Sequence, residues 1–288
     1  SKTAVCVCRD KSAKDVTVIS RRIETDNYQN ISKHSDADYI INTTPVGMYP
    51  NNGESPINLT IFKHCKGVAD LIYNPSKTQL LLDAEELSIP AVNGLTMLCA
   101  QGVKAAELFT NQSFDSNKAT EITKNLEQQM LNIALVGMPG CGKSTAAKTL
   151  SQMLGREVID TDDLIRINEG KEIPEIFSTE GEEYFRNAET IAVKQAGKQS
   201  GKIIATGGGA VLRDENKSAL RQNSVVVFLK RDLSQLDTDG RPLSQNAGLK
   251  EMHKKRLPHY EAVCDITVEV AADKNETATR IMKGLGLI

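Results

Sequence analysis

The segment GMPGCGKS, residues 137–144, constrains this chain more than any other stretch. It follows the apolar run LNIALV and precedes the helix-forming run TAAKTLSQML. A strand, a glycine-rich turn and a helix, in that order, form the setting of a phosphate-binding loop. Gly137, Gly140 and Gly142 let backbone N–H groups turn inward around a polyphosphate without Cβ clashes. The following helix, with Thr145 in its first turn, adds its positive N-terminal end. Lys143 can reach the β- and γ-phosphates, and the Ser144 hydroxyl can hold Mg2+.

Two domains fit in 288 residues. A net charge of −2 gives no pull toward nucleic acid or an anionic membrane. Trp is absent and aromatic residues make up 4%, which argues against base-stacking platforms. Apolar runs such as VVVFL are too short to span a bilayer, and no signal-peptide pattern is present. The six cysteines form no CxxC pair, so neither a zinc site nor a redox motif is indicated. Reduced thiols in a cytoplasmic protein are the expectation.

Strand-like and helical runs alternate throughout, which predicts α/β architecture with parallel sheets. In the first part the expected strands are VTVIS, YIINT, GVADLIY and IPAVN, with helices near residues 79–87 and 95–109. SKTAVCVCRD reads as a helix already under way, as if the N-terminus had been cut. The polar stretch TNQSFDSNKAT marks a boundary. The expected organisation is a partial Rossmann-like domain over residues 1–112, a connecting helix over 113–130 and a P-loop kinase domain over 131–288. Strands of the last are LNIALV, EVID, KIIAT, SVVVFL and DITVEV.

The second part carries further chemistry. Asp160 and Asp162 follow its second strand, where open α/β sheets bind ligands. One carboxylate there can ligate Mg2+ and another can take a proton from an attacking hydroxyl, although an Asp also favours a helix N-cap. Arg186 and Glu189 lie three apart in GEEYFRNAE and can pair on one helix face, which in isolation reads as a solvated ion pair. Gly207, Gly208 and Gly209 in ATGGGAV permit close backbone approach by a ligand. Arg241 in DGRPL suits charge stabilisation on a moving phosphoryl group, and equally suits an ordinary exposed loop. Arg256 in KKRLPHY sits near the expected end of a helix, where a cation is favourable in any case.

Taken together, GxxxxGKS, DxD, GEExFRxxE, ATGGG, GRPL and RxPxY in this order resemble the shikimate kinase family across the whole second domain. The resemblance implies ATP-dependent phosphorylation of the shikimate 3-hydroxyl. It places Lys143, Asp162 and Arg241 in catalysis, with Asp162 binding the shikimate hydroxyls and orienting or deprotonating the attacking one. Asp160 and Ser144 would hold Mg2+. Arg186 and Arg256 would clamp the substrate carboxylate, with Glu189 supporting Arg186, and Gly207, Gly208 and Gly209 would offer backbone contacts. One departure concerns the short, acidic loop KRDLSQLDTDGRPL, in which an Arg that many members place near the adenine has no clear counterpart.

In the first domain, INTTPVGMYPN, DLIYNPSKTQLL and NGLTMLCAQGVKAAELF resemble the nicotinamide-binding half of shikimate dehydrogenase. Thr43, Tyr73 and Gln101 fall at positions that the resemblance places near cofactor or substrate, although Tyr73 and Gln101 would equally serve as strand or helix packing residues. Arg21, after VTVIS, reads equally as a contact for the NADP 2′-phosphate or as a solvated charge. No GxGxxG-like loop precedes Val16, so no dehydrogenase activity is expected of this chain, and NADP belongs to an intact parent. An incomplete sheet predicts association through this domain. The alternatives are another P-loop kinase, of the gluconate or nucleoside monophosphate type, and a non-catalytic nucleotide-binding scaffold.

Overall fold

The computed structural model describes residues 1–22, 26–236 and 246–288. Arg241 therefore lies outside the described residues. The chain divides into two compact units, Ser1–Leu126 and Glu127–Ile288. The dividing point lies inside a helix, within the segment expected to connect the domains.

The first unit contains helix α1 (Lys2–Asp10), strands β1 (Tyr39–Asn42) and β2 (Gly67–Asp70), helix α2 (Gln79–Glu86), strand β3 (Ala91–Val92) and helix α3 (Leu95–Thr110). Helix α4 (Lys118–Met130) follows and runs across the dividing point. The three strands pair in parallel in the order β1-β2-β3. Leu80, Leu81 and Ala84 of α2 pack with Leu59, Phe62 and Val68 to form the local core. Asp70, at the end of the middle strand, is buried and accepts hydrogen bonds from Asn42 Nδ2, the Ile72 N–H and Thr78 Oγ1. Those bonds tie the ends of two strands to the start of α2.

One expected strand is not formed. Residues 16–19 carry the alternation of VTVIS, but only an isolated bridge from Ser20 to Asn27 occurs there. A strand persists only where a neighbour supplies a ladder of backbone partners, and the described residues supply none. Arg21 is exposed and does not stand at a sheet end, so its expected setting is absent. Thr43 directly follows β1 and is half-buried, Gln101 is exposed on α3, and Tyr73 is 40% exposed.

The second unit contains β4 (Asn132–Val136), α5 (Lys143–Leu154), β5 (Val158–Asp160), α6 (Thr161–Glu169), α7 (Ile173–Thr179) and α8 (Glu182–Gly197). It continues through β6 (Ile203–Ala205), α9 (Asp214–Arg221), β7 (Ser224–Lys230), α10 (Asn246–Val263), β8 (Ile266–Glu269) and α11 (Lys274–Gly284). All five strands are parallel, in the order β5-β6-β4-β7-β8. Every residue of the central strand β4 is buried, as expected for a parallel strand covered on both faces. Its core partners include Ile203, Ile204, Val226, Val227, Phe228 and Leu150. Parallel pairing brings the C-terminal ends of β4, β5 and β6 to one side of the sheet, which is where the loops singled out by sequence emerge. Among the described residues no helix is long and apolar enough to cross a membrane.

Candidate active site

The loop after β4 leads straight into α5, so its backbone N–H groups and the positive end of the helix face the same space. Lys143 is buried, and its Nζ donates to the carbonyl oxygens of Gly137 and Met138, each at 2.9 Å. Those bonds hold the ammonium within the loop. A polar cavity of about 210 Å³ opens there, lined by loop residues together with Asp160, Asp162, Thr206 and Gly208. Gly140, Gly142, Lys143, Ser144 and Thr145 all line it.

The end of β5 supplies the carboxylates. Asp160 caps α6 by accepting from the Asp162 N–H at 3.0 Å, as its residue type favours. Its other oxygen accepts from the Ser144 hydroxyl at 3.0 Å. Asp160 is thus both a helix cap and a neighbour of the phosphate loop. Asp162 stands in the first turn of α6. Burial pushes its carboxyl up to about 6, and the charges of Asp160 and Glu189 add to the shift, against the pull of Lys143 and Arg166. It is therefore mostly ionised at neutral pH, yet basic enough to take a proton.

The end of β6 supplies the corner against which these groups pack. A Cβ on Gly207 would lie 2.9 Å from both Asp162 Oδ1 and Glu189 Oε1. A Cβ on Gly209 would lie within 3.1 Å of three atoms of the Arg186 guanidinium. Only glycine allows carboxylates and guanidinium to approach the backbone this closely. Arg186 Nη1 pairs with Glu189 at 2.8 Å, the two side chains being 12% and 2% exposed. Its Nη2 reaches the exposed Glu182 at 3.2 Å. Burial pushes the Glu189 carboxyl up, while Arg186 and, more weakly, Arg256 pull it down. Both arginines therefore act on the same buried carboxylate. The pair is not the solvated surface pair that its spacing alone suggests, because the glycine corner covers it.

Arg256 is half-buried in the body of α10, seven residues before Val263, and not at a helix end. The helix continues through Pro258, which removes one N–H without ending it. One turn on, Tyr260 is buried, stacks on Phe228 at 5.1 Å and donates its hydroxyl to the Gly208 carbonyl at 2.5 Å. The motif RxPxY contains this tyrosine, but nothing in the motif tells that it fastens α10 to the glycine corner.

The shikimate kinase family model matches residues 139–285, which contain this cavity and corner. This chain belongs to the shikimate kinase family. The shikimate kinase of Clostridium botulinum strain Okra is 38% identical over 54% of this chain and all of that protein. That of Bordetella avium is 36% identical over 58% of this chain and 85% of its own length. Among solved structures, the Acinetobacter baumannii shikimate kinase in complex with shikimate is 32% identical, with a TM-score of 0.54, over 57% of this chain and 97% of that one. The family thus accounts for the second unit, and the described members of its motif set meet around one cavity and the glycine corner beside it.

Among the described residues no group of three or more His, Cys, Asp or Glu side chains is placed to hold a metal ion. The oxygens of Ser144 and Asp160 suit a hard cation bound through few protein ligands and completed by phosphate oxygens and water.

Proposed function

We propose that the second unit transfers the γ-phosphoryl group of ATP to the 3-hydroxyl of shikimate. The observation that supports this most is the meeting of Asp162, the buried Arg186–Glu189 pair and the glycine corner beside the phosphate-loop cavity.

ATP would lay its phosphates along the loop, where Lys143 exchanges its carbonyl partners for phosphate oxygens. Shikimate would enter at the glycine corner, its carboxylate taken by Arg186 and Arg256. Planar guanidinium groups suit one small carboxylate. Asp162 would hold the hydroxyls and accept the proton of the attacking one. That oxygen forms a bond to the γ-phosphorus, the bond from phosphorus to the bridging β–γ oxygen breaks, and ADP leaves with the electron pair. Ser144 and Asp160 would hold Mg2+, which when bound neutralises charge across the β- and γ-oxygens. Arg241 would close over the phosphates, a role that rests on the motif alone. Positioning and charge neutralisation supply most of the rate in such a transfer.

Two guanidinium groups and three glycines at one corner favour a carboxylated polyol over a nucleoside monophosphate as acceptor. The first unit we read as related to nicotinamide-binding dehydrogenase domains, on its motifs and its parallel sheet, with NADP as the cofactor which that resemblance implies.

The test is ADP release with Mg2+ and ATP in the presence of shikimate, gluconate or nucleoside monophosphates. Shikimate alone should accelerate release. Equal or faster release with either of the others would assign the corner to a different acceptor.

A further inference from the structure

Arg231 is the first residue after β7, and β7 lies beside β4 in the sheet. Its side chain therefore starts at the same end of the sheet as the phosphate loop. A Cβ on Gly142 would find Arg231 Nη1 3.9 Å away and no other heavy atom within 4 Å. The guanidinium thus stands over the last glycine of the loop, where α5 begins. Its Nε is buried and, among the described residues, has no hydrogen-bond partner. Among the described residues the side chain also has no ion-pair partner.

This is an unusual position for an arginine. Lys143, Asp160 and Arg186 by contrast are each engaged: Lys143 with carbonyls, Asp160 with Ser144 and a helix N–H, Arg186 with Glu189. A half-buried guanidinium without a counter-charge is costly unless an anion arrives. The direction of the cavity says which anion. Its lining joins Asp162 and Gly208, which belong to the acceptor corner, with Gly142 and Thr145, which stand where the loop enters α5. In-line transfer sets the γ-phosphate toward the acceptor, so the rest of the nucleotide runs toward Gly142. A guanidinium fork matches phosphate oxygens in shape and charge.

We propose that Arg231 is a nucleotide-binding residue whose guanidinium holds the α- and β-phosphates of ATP, and then of ADP. The assignment rests on the kinase reading above and extends it to a residue outside the motif set. It adds a cation at the donor end, opposite the two that clamp the acceptor.

The experiment compares the unaltered chain with Arg231→Leu and Arg231→Lys, measuring by calorimetry the Kd for ADP, inorganic pyrophosphate and shikimate, together with the KM for ATP. Arg231→Leu should weaken ADP and pyrophosphate roughly tenfold or more and raise the KM for ATP to match, with shikimate affinity within about twofold. Arg231→Lys should recover part of the loss. ADP affinity within about twofold of the unaltered chain would overturn the proposal, as would an equal loss of shikimate affinity, which signals a structural role. Loss of ADP affinity with pyrophosphate unchanged would overturn the phosphate contact in favour of the base. If the unaltered chain binds no ADP, the kinase reading itself falls, a result distinct from failure of the arginine assignment alone.

Discussion

Replacing Asp162 with Asn should make the second unit more stable while removing its activity. The carboxyl is raised from 3.8 to about 6, chiefly by burial and then by the charges of Asp160 and Glu189. At about 1.4 kcal/mol per pH unit, ionising it in the folded chain costs about 3 kcal/mol relative to the unfolded chain. The sign follows from proton counting. Below about pH 4 both states hold the proton and the cost is absent. Between about pH 4 and pH 6 the unfolded chain has lost its proton and the folded chain keeps it, so stability falls as pH rises. Above about pH 6 the folded carboxylate is ionised and the cost is complete. Asn has nearly the same shape and never ionises. Its advantage should therefore be small near pH 4 and reach about 3 kcal/mol at pH 7.5, or roughly 6–12 °C in the transition of a unit this size. Urea unfolding at pH 4.5, 6 and 7.5, following the transition that ADP shifts, measures this directly. A variant no more stable than the unaltered chain at pH 7.5, or one with an advantage independent of pH, would refute the reasoning. In the same proteins, kcat/KM should rise about tenfold per pH unit up to about pH 6 and then level off. The Asn variant should lose about 10²–10⁴ in rate.

Other perturbations test the rest of the corner. Glu189→Ala takes from the half-buried Arg186 its buried carboxylate, leaving it the exposed Glu182, and should cost up to about 3 kcal/mol in urea unfolding, with a rise in the KM for shikimate. Glu182→Gln should do the opposite to substrate: the exposed Glu182 occupies Arg186 Nη2 at 3.2 Å, and its removal should tighten shikimate binding by up to about fivefold in calorimetry. Ser144→Ala should raise the Mg2+ concentration needed for half-maximal rate by roughly tenfold, while leaving shikimate binding intact.

Some of this was legible in the residues and some was not, for physical reasons. LNIALV reads as a strand because a parallel strand covered on both faces is apolar at every position, and β4 is buried throughout. The phosphate loop was legible because its glycine pattern has few other uses in that setting. VTVIS has the same β-propensity, but propensity does not supply a neighbouring strand, and residues 16–19 remain unpaired. The spacing of Arg186 and Glu189 showed that they could meet; their burial depends on Gly207 and Gly209, about twenty residues further along the chain. The segment KKRLPHY places Arg256 near an expected helix end, yet α10 runs on through Pro258 to Val263. The bond from Tyr260 to Gly208 joins residues 52 apart, a distance at which local pattern carries no information.

The central claim is that one corner of the second unit delivers phosphate from ATP to the 3-oxygen of shikimate with Asp162 as base. Phosphorus NMR of the product mixture, with ADP quantified alongside, tests it most directly. The account predicts one phosphate monoester on the 3-oxygen for each ADP formed, and loss of both in Asp162→Asn. ADP without a sugar-acid phosphate, or an undiminished yield from the Asn variant, would contradict it.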